Sequence, residues 1–170
     1  MEIKIDYTED FKEFYVDFKN LPSYATEGSS GIDLKGLIVR KLFVGSKELP
    51  LKLLEKSLEK GRFTLRPFER VLLGTGLRMQ IPEGFELQIR PRSGNSLKRG
   101  VYVAFGTIDS DYRGEIGIIL MNCTSYNCNF TLGEKFAQGV LSPIIKITSF
   151  SIGELENSVR NEGGFGHTGK

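Results

Sequence analysis

Short runs rich in β-branched and aromatic residues recur along this chain, and glycine or proline separates most of them from the next. EFYVDF (13–18), GLIVRKLFV (36–44), RVLLGTGLRMQI (70–81), GFELQIRP (84–91), GEIGIILMN (114–122), KFAQGVLSPI (135–144) and KITSFSI (146–152) make up the series. Several alternate apolar with polar residues, the period of a strand buried on one face. Pro82-Glu83-Gly84 sets a fixed φ before a residue that accepts positive φ, the chemistry of a hairpin connection. The pattern predicts an all-β barrel or sandwich.

At 170 residues the chain has the length of one domain and needs no disulfides to hold a core. Its 23 basic and 21 acidic residues leave a net charge of +2, which argues against a nucleic-acid stripe or a membrane anchor. No apolar run reaches a membrane-spanning length. MEIKIDYTED lacks a positive segment followed by an apolar core, so the expectation is an intracellular, cytoplasmic protein. Cys123 and Cys128, with one histidine in the whole chain, are too few for a disulfide scaffold or a structural zinc. They read as inert thiols flanking a hairpin turn.

Two segments depart from the strand pattern. In ELPLKLLEKSLEKG, Leu49, Leu53, Leu54 and Leu58 share one helical face, and Gly61 is placed to stop the helix. The segment predicts one amphipathic helix, lying on the β-domain or serving a partner. RNEGGFGHTGK (160–170) has little to bury and should stay mobile until a ligand orders it; it reads as a frayed terminus or, with its Arg, aromatic and glycines, as a ligand-closing arm. Its G-x-x-x-x-G-K spacing lacks the Ser/Thr and helix of a working P-loop, although successive glycine amides still suit an anion.

Two further segments carry polar chemistry. In PRSGNSLKRG, Arg92 offers a phosphate fork, Ser93 a hydroxyl donor and Gly94 an approachable backbone, or the segment is a basic turn. GTIDSDYRGE combines acids, a tyrosine, an arginine and a glycine at a strand end, either a base with a stacking ring or a plain hairpin turn.

GSSGIDL (28–34), PRSGNSLKRGV, GTIDSDYRGEIG, GEKFAQ (133–138) and RNEGGFGHTG stand in the order and rough spacing of the five motifs of the deoxyuridine triphosphate nucleotidohydrolases, the dUTPases. Over about residues 20–170 the chain resembles that family. The resemblance implies a distorted antiparallel jelly-roll-like β-barrel with one or two short helices, assembled as a homotrimer with shared active sites. Its implied domains are a β-barrel over 1–159, carrying a helical insertion at about 41–61, and a Gly-rich arm over 160–170. The implied reaction is hydrolysis of dUTP to dUMP and pyrophosphate by water attack at the α-phosphorus, with Mg2+ as cofactor and neither nucleic acid nor membrane as partner.

By the same resemblance Asp109 is the general base, and Gln138 binds near the phosphate and the nucleophilic water. Asp33 holds the magnesium through water. Arg92, Ser93 and Gly94 hold phosphates, Tyr112 excludes a ribose 2′-OH, and a hairpin near Gly106 and Gly117 reads uracil. Arg160, Gly166, His167 and Thr168 belong with the outer phosphates, and Phe165 stacks over the base. The set suits phosphoanhydride hydrolysis, which needs cations, a metal, amide donors and one base.

Two departures stand out. His167 occupies a position that is usually serine, so it either donates to phosphate or faces solvent while amides do the holding. The 41–61 insertion is absent from most compact members. Among rivals, the dCTP deaminases carry a catalytic Glu where this chain has Ile119, and a non-catalytic relative does not require the intact Asp109, Tyr112 and Phe165.

Overall fold

A computed structural model describes residues 2–15 and 21–163. Strand β1 (Lys4–Tyr7) comes first, followed by helix α1 (Lys12–Tyr15) and strands β2 (Ile32–Lys35), β3 (Ile38–Val44) and β4 (Lys47–Leu49). Next come helix α2 (Glu55–Leu58) and strands β5 (Arg62–Leu65), β6 (Glu69–Gly74), β7 (Leu77–Gln80) and β8 (Phe85–Pro91). Helix α3 (Ser93–Arg99) then leads to β9 (Val101–Val103), β10 (Gly106–Ile108), β11 (Gly117–Asn122), β12 (Cys128–Thr131) and β13 (Lys135–Pro143).

The all-β expectation holds. Among the described residues the strands form four antiparallel sheets, ordered β1-β7, β10-β8-β13-β2, β4-β3-β6-β11-β9 and β12-β5, and no ladder closes them into one barrel. Alternation supplies the core: Leu87 and Ile89 of β8 point inward while Glu86, Gln88 and Arg90 face out, and β11 buries Ile118 and Leu120. Phe63, Phe130 and Phe136 meet with ring centroids 5.1–6.0 Å apart, which ties β5-β12 to β13. No described helix is long and apolar enough to cross a membrane.

Several elements differ from the sequence reading. The expected strand at 13–18 begins instead as α1, because Thr8, Glu9 and Asp10 favour a helical start and Phe11 N–H bonds Thr8 C=O. The single helix over 48–61 breaks into β4, a 3-10 turn at Leu51–Leu53 and α2. Pro50 holds Leu49 extended, Leu54 is buried, and Leu53 faces solvent. Residues 70–81 bend at Gly76 (φ +73°), which separates β6 from β7.

Pro82-Glu83-Gly84 does turn, with Phe85 N–H bonding Pro82 C=O, but it joins strands of different sheets and is no hairpin. The same holds for the cysteines: β11 and β12 belong to separate sheets, and both thiols are free, Cys128 buried and Cys123 exposed. KITSFSI forms no strand; Ile145, Ile147, Phe150 and Ile152 lie exposed, without a partner ladder among the described residues. Strand β1 was not legible beforehand.

Candidate active site

Three neighbouring strands build the first part of the site. Gln138 of β13 pairs in register with both Asp33 of β2 and Arg90 of β8, so one row carries an amide, a carboxylate and a guanidinium. Along one side runs a cleft of about 440 Å³, lined by Ser29, Ser30, Gly31, Asp33, Arg90, Arg92, Ser93 and Gln138. Gly31 leaves the room that the Gln138 amide takes, since a Cβ there would stand 2.7 Å from Gln138 Oε1. Gln138 Nε2 donates to Pro91 C=O at 2.9 Å, which fixes the amide at the cleft wall.

PRSGNSLKRG, read as a phosphate-binding segment or a basic turn, is helical over Ser93–Arg99. Arg92 keeps extended backbone before α3, and Gly100 (φ +63°) ends the helix in the left-handed region. Asn95 Nδ2 donates to Lys135 and Phe136 carbonyls at 3.3 Å, and Arg99 pairs with Glu134 at 2.6 Å. These bonds dock the helix on the fourth motif and leave Ser93 and Gly94 exposed at the cleft edge, with no atom within 4 Å of a Cβ at Gly94.

Charge completes this cleft. The Asp33 side chain is 10% exposed, with Arg92 Nε 3.0 Å from Oδ1 and Lys135 Nζ 2.7 Å from Oδ2. Arg92 also donates to Lys135 C=O at 3.1 Å. Two cations thus hold one carboxylate while Arg90, bonded to Gln88, lines the same cleft, a balance suited to a polyanion.

The third motif lies elsewhere on the chain. Asp109, Ser110, Asp111 and Arg113 line a second cleft of about 630 Å³ that shares no lining residue with the first. Ile108 pairs with Leu87, which pairs with Leu141, so Asp109 lies two strands across and about four residues along from Gln138. Strand spacings make that separation roughly 16 Å. Asp109 and Gln138 of one chain therefore cannot hold one water between them.

The turn that carries Asp109 is well tied. Tyr112 N–H donates to Asp109 C=O at 3.2 Å, and Arg113 Nη1 donates to the carbonyls of Ser110 and Tyr112 at 2.7 and 2.8 Å. Tyr112 is 43% exposed, and its hydroxyl donates to Glu115 C=O at 3.1 Å. The expected hairpin near Gly106 and Gly117 is not formed, because Gly106 opens β10 beside β8 while Gly117 opens β11 between β6 and β9. Arg160 is exposed and donates from Nε to Gly163 C=O at 2.6 Å. Phe165, Gly166, His167 and Thr168 lie outside the described residues.

No group of three His, Cys, Asp or Glu among the described residues could hold a metal unaided. Asp33 is one carboxylate already paired with Arg92 and Lys135, so these residues fit only a magnesium ion that would take its ligands from phosphate and water, with Asp33 reaching it through those waters.

Sequence reasoning missed Arg90 and Lys135. Arg90 could have been found, since it stands two residues before Arg92 on a strand and faces the same way. Lys135 sits inside the fourth motif, but its contact with Asp33 depends on a strand pairing that local sequence does not reveal.

The family model described as dUTPase matches residues 59–169. The deoxyuridine 5'-triphosphate nucleotidohydrolase of Hydrogenobaculum sp. is 44% identical over 151 residues, 88% of this chain and 90% of that one. Its counterpart from Fusobacterium nucleatum is 40% identical over 152 residues, with coverage of 88% and 90%. Among solved structures, the Staphylococcus bacteriophage 80alpha dUTPase with dUPNHPP superposes with a TM-score of 0.73 at 21% identity over 99% of each chain. A mutant dUTPase from phage phi11 of S. aureus, described as coordinating a structural Mg(II) ion, gives 0.67 at 18% identity over 92% of this chain and all of that one.

Proposed function

Since this chain belongs to the dUTPase family, we propose that it hydrolyses dUTP to dUMP and pyrophosphate, as a cytoplasmic enzyme that keeps uracil out of DNA and supplies dUMP for thymidylate synthesis. The observation that carries the reading is the cationic cleft in which Arg92 and Gln138 are fixed beside a docked α3. Arg92, Ser93 and the amide of Gly94 bind phosphate oxygens, and Gln138 binds near the scissile phosphate and the attacking water. Asp109 orients that water and accepts its proton, and water attacks the α-phosphorus with pyrophosphate leaving. Asp33 would hold a magnesium ion through water, and that ion would supply charge neutralisation to the triphosphate.

Tyr112 packs against the sugar and leaves no room for a 2′-OH. Backbone groups near Gly106 and Gly117, which open strands of different sheets, read the uracil edge without a hairpin joining them. The C-terminal arm, 160–170, closes the site: Arg160, Gly166, His167 and Thr168 toward the outer phosphates, Phe165 over the base. Because Asp109 and Gln138 lie roughly 16 Å apart on one chain by strand spacing, the reading requires a shared site, and a homotrimer supplies it. The exposed apolar segment from Ile145 to Val159 supports assembly as well. Ile119, exposed on β11, cannot shuttle the proton that deamination of dCTP needs.

The test is product analysis with dUTP, dCTP, dTTP and UTP in the presence of magnesium. Pyrophosphate and dUMP from dUTP, with the others poor substrates, are expected. Ammonia from dCTP, or orthophosphate as the first product, refutes the reading.

A further inference from the structure

Glu115 has no part in the hydrolysis described above, yet it is the most heavily bonded acid in its loop. Its Oε2 accepts from Arg40 Nε at 3.0 Å, and its Oε1 accepts from Gly76 N–H at 2.7 Å. Arg40 reaches on to Asp10 at 2.9 Å, in the 3-10 turn Glu9–Phe11. Two backbone features make room for this cluster. The β3–β6 register shifts between Val39 and Lys41, a bulge that turns Arg40 out of the ladder. At Gly74 a Cβ would come 2.5 Å from Glu115 Oε1. Burial opposes the Arg40 charge, but its bonds to Glu115 and Asp10 outweigh that and hold the guanidinium above its ordinary range.

The other end of Glu115 faces the tyrosine. Its backbone carbonyl accepts the Tyr112 hydroxyl, and the intervening Gly114 is needed because a Cβ there would collide with the Tyr112 ring. Ile116 is pinned in turn by its N–H to Leu77 C=O and by Thr75 Oγ1 to its carbonyl, both at 2.8 Å. The ring is thus fixed through its hydroxyl to a residue whose carboxylate and successor are both anchored.

We propose that Glu115, clamped by Arg40 and the Gly76 amide, is a positioning residue that holds the Tyr112 ring in place and so sets how strictly the enzyme rejects ribonucleotides. This rests on the reading of Tyr112 as the group that excludes a 2′-OH. Glu115 touches no substrate; it acts through the tyrosine. A ring displaced by an ångström no longer blocks the 2′ position, and UTP gains relative to dUTP.

The experiment measures kcat/KM for dUTP and UTP, with Tm, for Glu115→Ala, Glu115→Gln, Tyr112→Phe and Tyr112→Ala. Displacements of this size cost up to about 100-fold, so Glu115→Ala and Tyr112→Phe should each narrow the dUTP/UTP ratio about tenfold. Glu115→Gln, which keeps an acceptor for Gly76 N–H, should narrow it less. Combining Glu115→Ala with Tyr112→Phe should add nothing, as for residues acting through one contact. A Tm loss that lowers both substrates equally and leaves the ratio unchanged overturns the proposal. If Glu115→Ala does not fold, Tyr112→Phe and Glu115→Gln decide the matter alone. An unchanged ratio in Tyr112→Ala overturns the tyrosine reading and this inference together; a narrowed ratio there with unchanged Tyr112→Phe and Glu115 variants overturns this inference only.

Discussion

Arg92 and Lys135 share one mostly buried carboxylate, Asp33, and that arrangement makes their charges available at the cleft wall without leaving them loose. Replacing Lys135 with Met removes one charge-assisted contact of about 1.5 kcal/mol, so binding of a non-hydrolysable dUTP analogue should weaken about tenfold. Titration calorimetry reads this directly, and kcat should change much less. Asp109 is different: it is exposed, in a turn tied by Arg113, with nothing of the first cleft near it. Asp109→Asn keeps the shape and removes the proton acceptor, so kcat should fall about 10²- to 10⁴-fold while analogue affinity stays within a few-fold. Single-turnover rates separate the two effects. At this scale the sequence pointed to Asp33, Arg92 and Gln138, each from its own motif, and the fold gathers all three at one cleft. Lys135 and Glu115 were not legible, because their partners Asp33 and Arg40 come from distant strands.

Among the elements, strands with clean alternation, such as β8 and β11, were legible because each buries one face. The 48–61 segment was misread since leucine spacing cannot reveal that Pro50 holds the backbone extended and lets β4 pair with β3. KITSFSI has strand composition, but a ladder needs a neighbour, and the described part of one chain offers none. The bend at Gly76 has a testable energetic role. Its φ of +73° and its contact with Phe11, 2.8 Å from an added Cβ, make Gly76→Ala both strained and crowded. A loss of about 2 kcal/mol is expected, seen as a lower urea midpoint at unchanged m-value. A neutral result would mean that the 3-10 turn moves aside without cost.

The whole molecule keeps its candidate phosphate cleft and its candidate base in separate clefts, so activity should belong to the assembly. Asp109→Asn and Arg92→Ala chains are each expected to be nearly inactive alone. Unfolded and refolded together in equal amounts, they should regain about a quarter of wild-type activity, because random trimers combine an intact Asp109 with an intact Arg92 in that share of sites. Sedimentation should show three chains per particle, and an absence of rescue in proven mixed trimers would place both residues of a site on one chain. The pairing of β2 with β13 bears on how each molecule comes into being. Asp33 leaves the ribosome roughly a hundred residues before Gln138, which at about 5–20 residues per second is on the order of ten seconds. During that interval the growing polypeptide carries the first motif beside no partner strand, and no nucleotide can rescue it by binding. Translation itself therefore times the birth of the cleft, which a nascent chain stalled anywhere before β13 lacks.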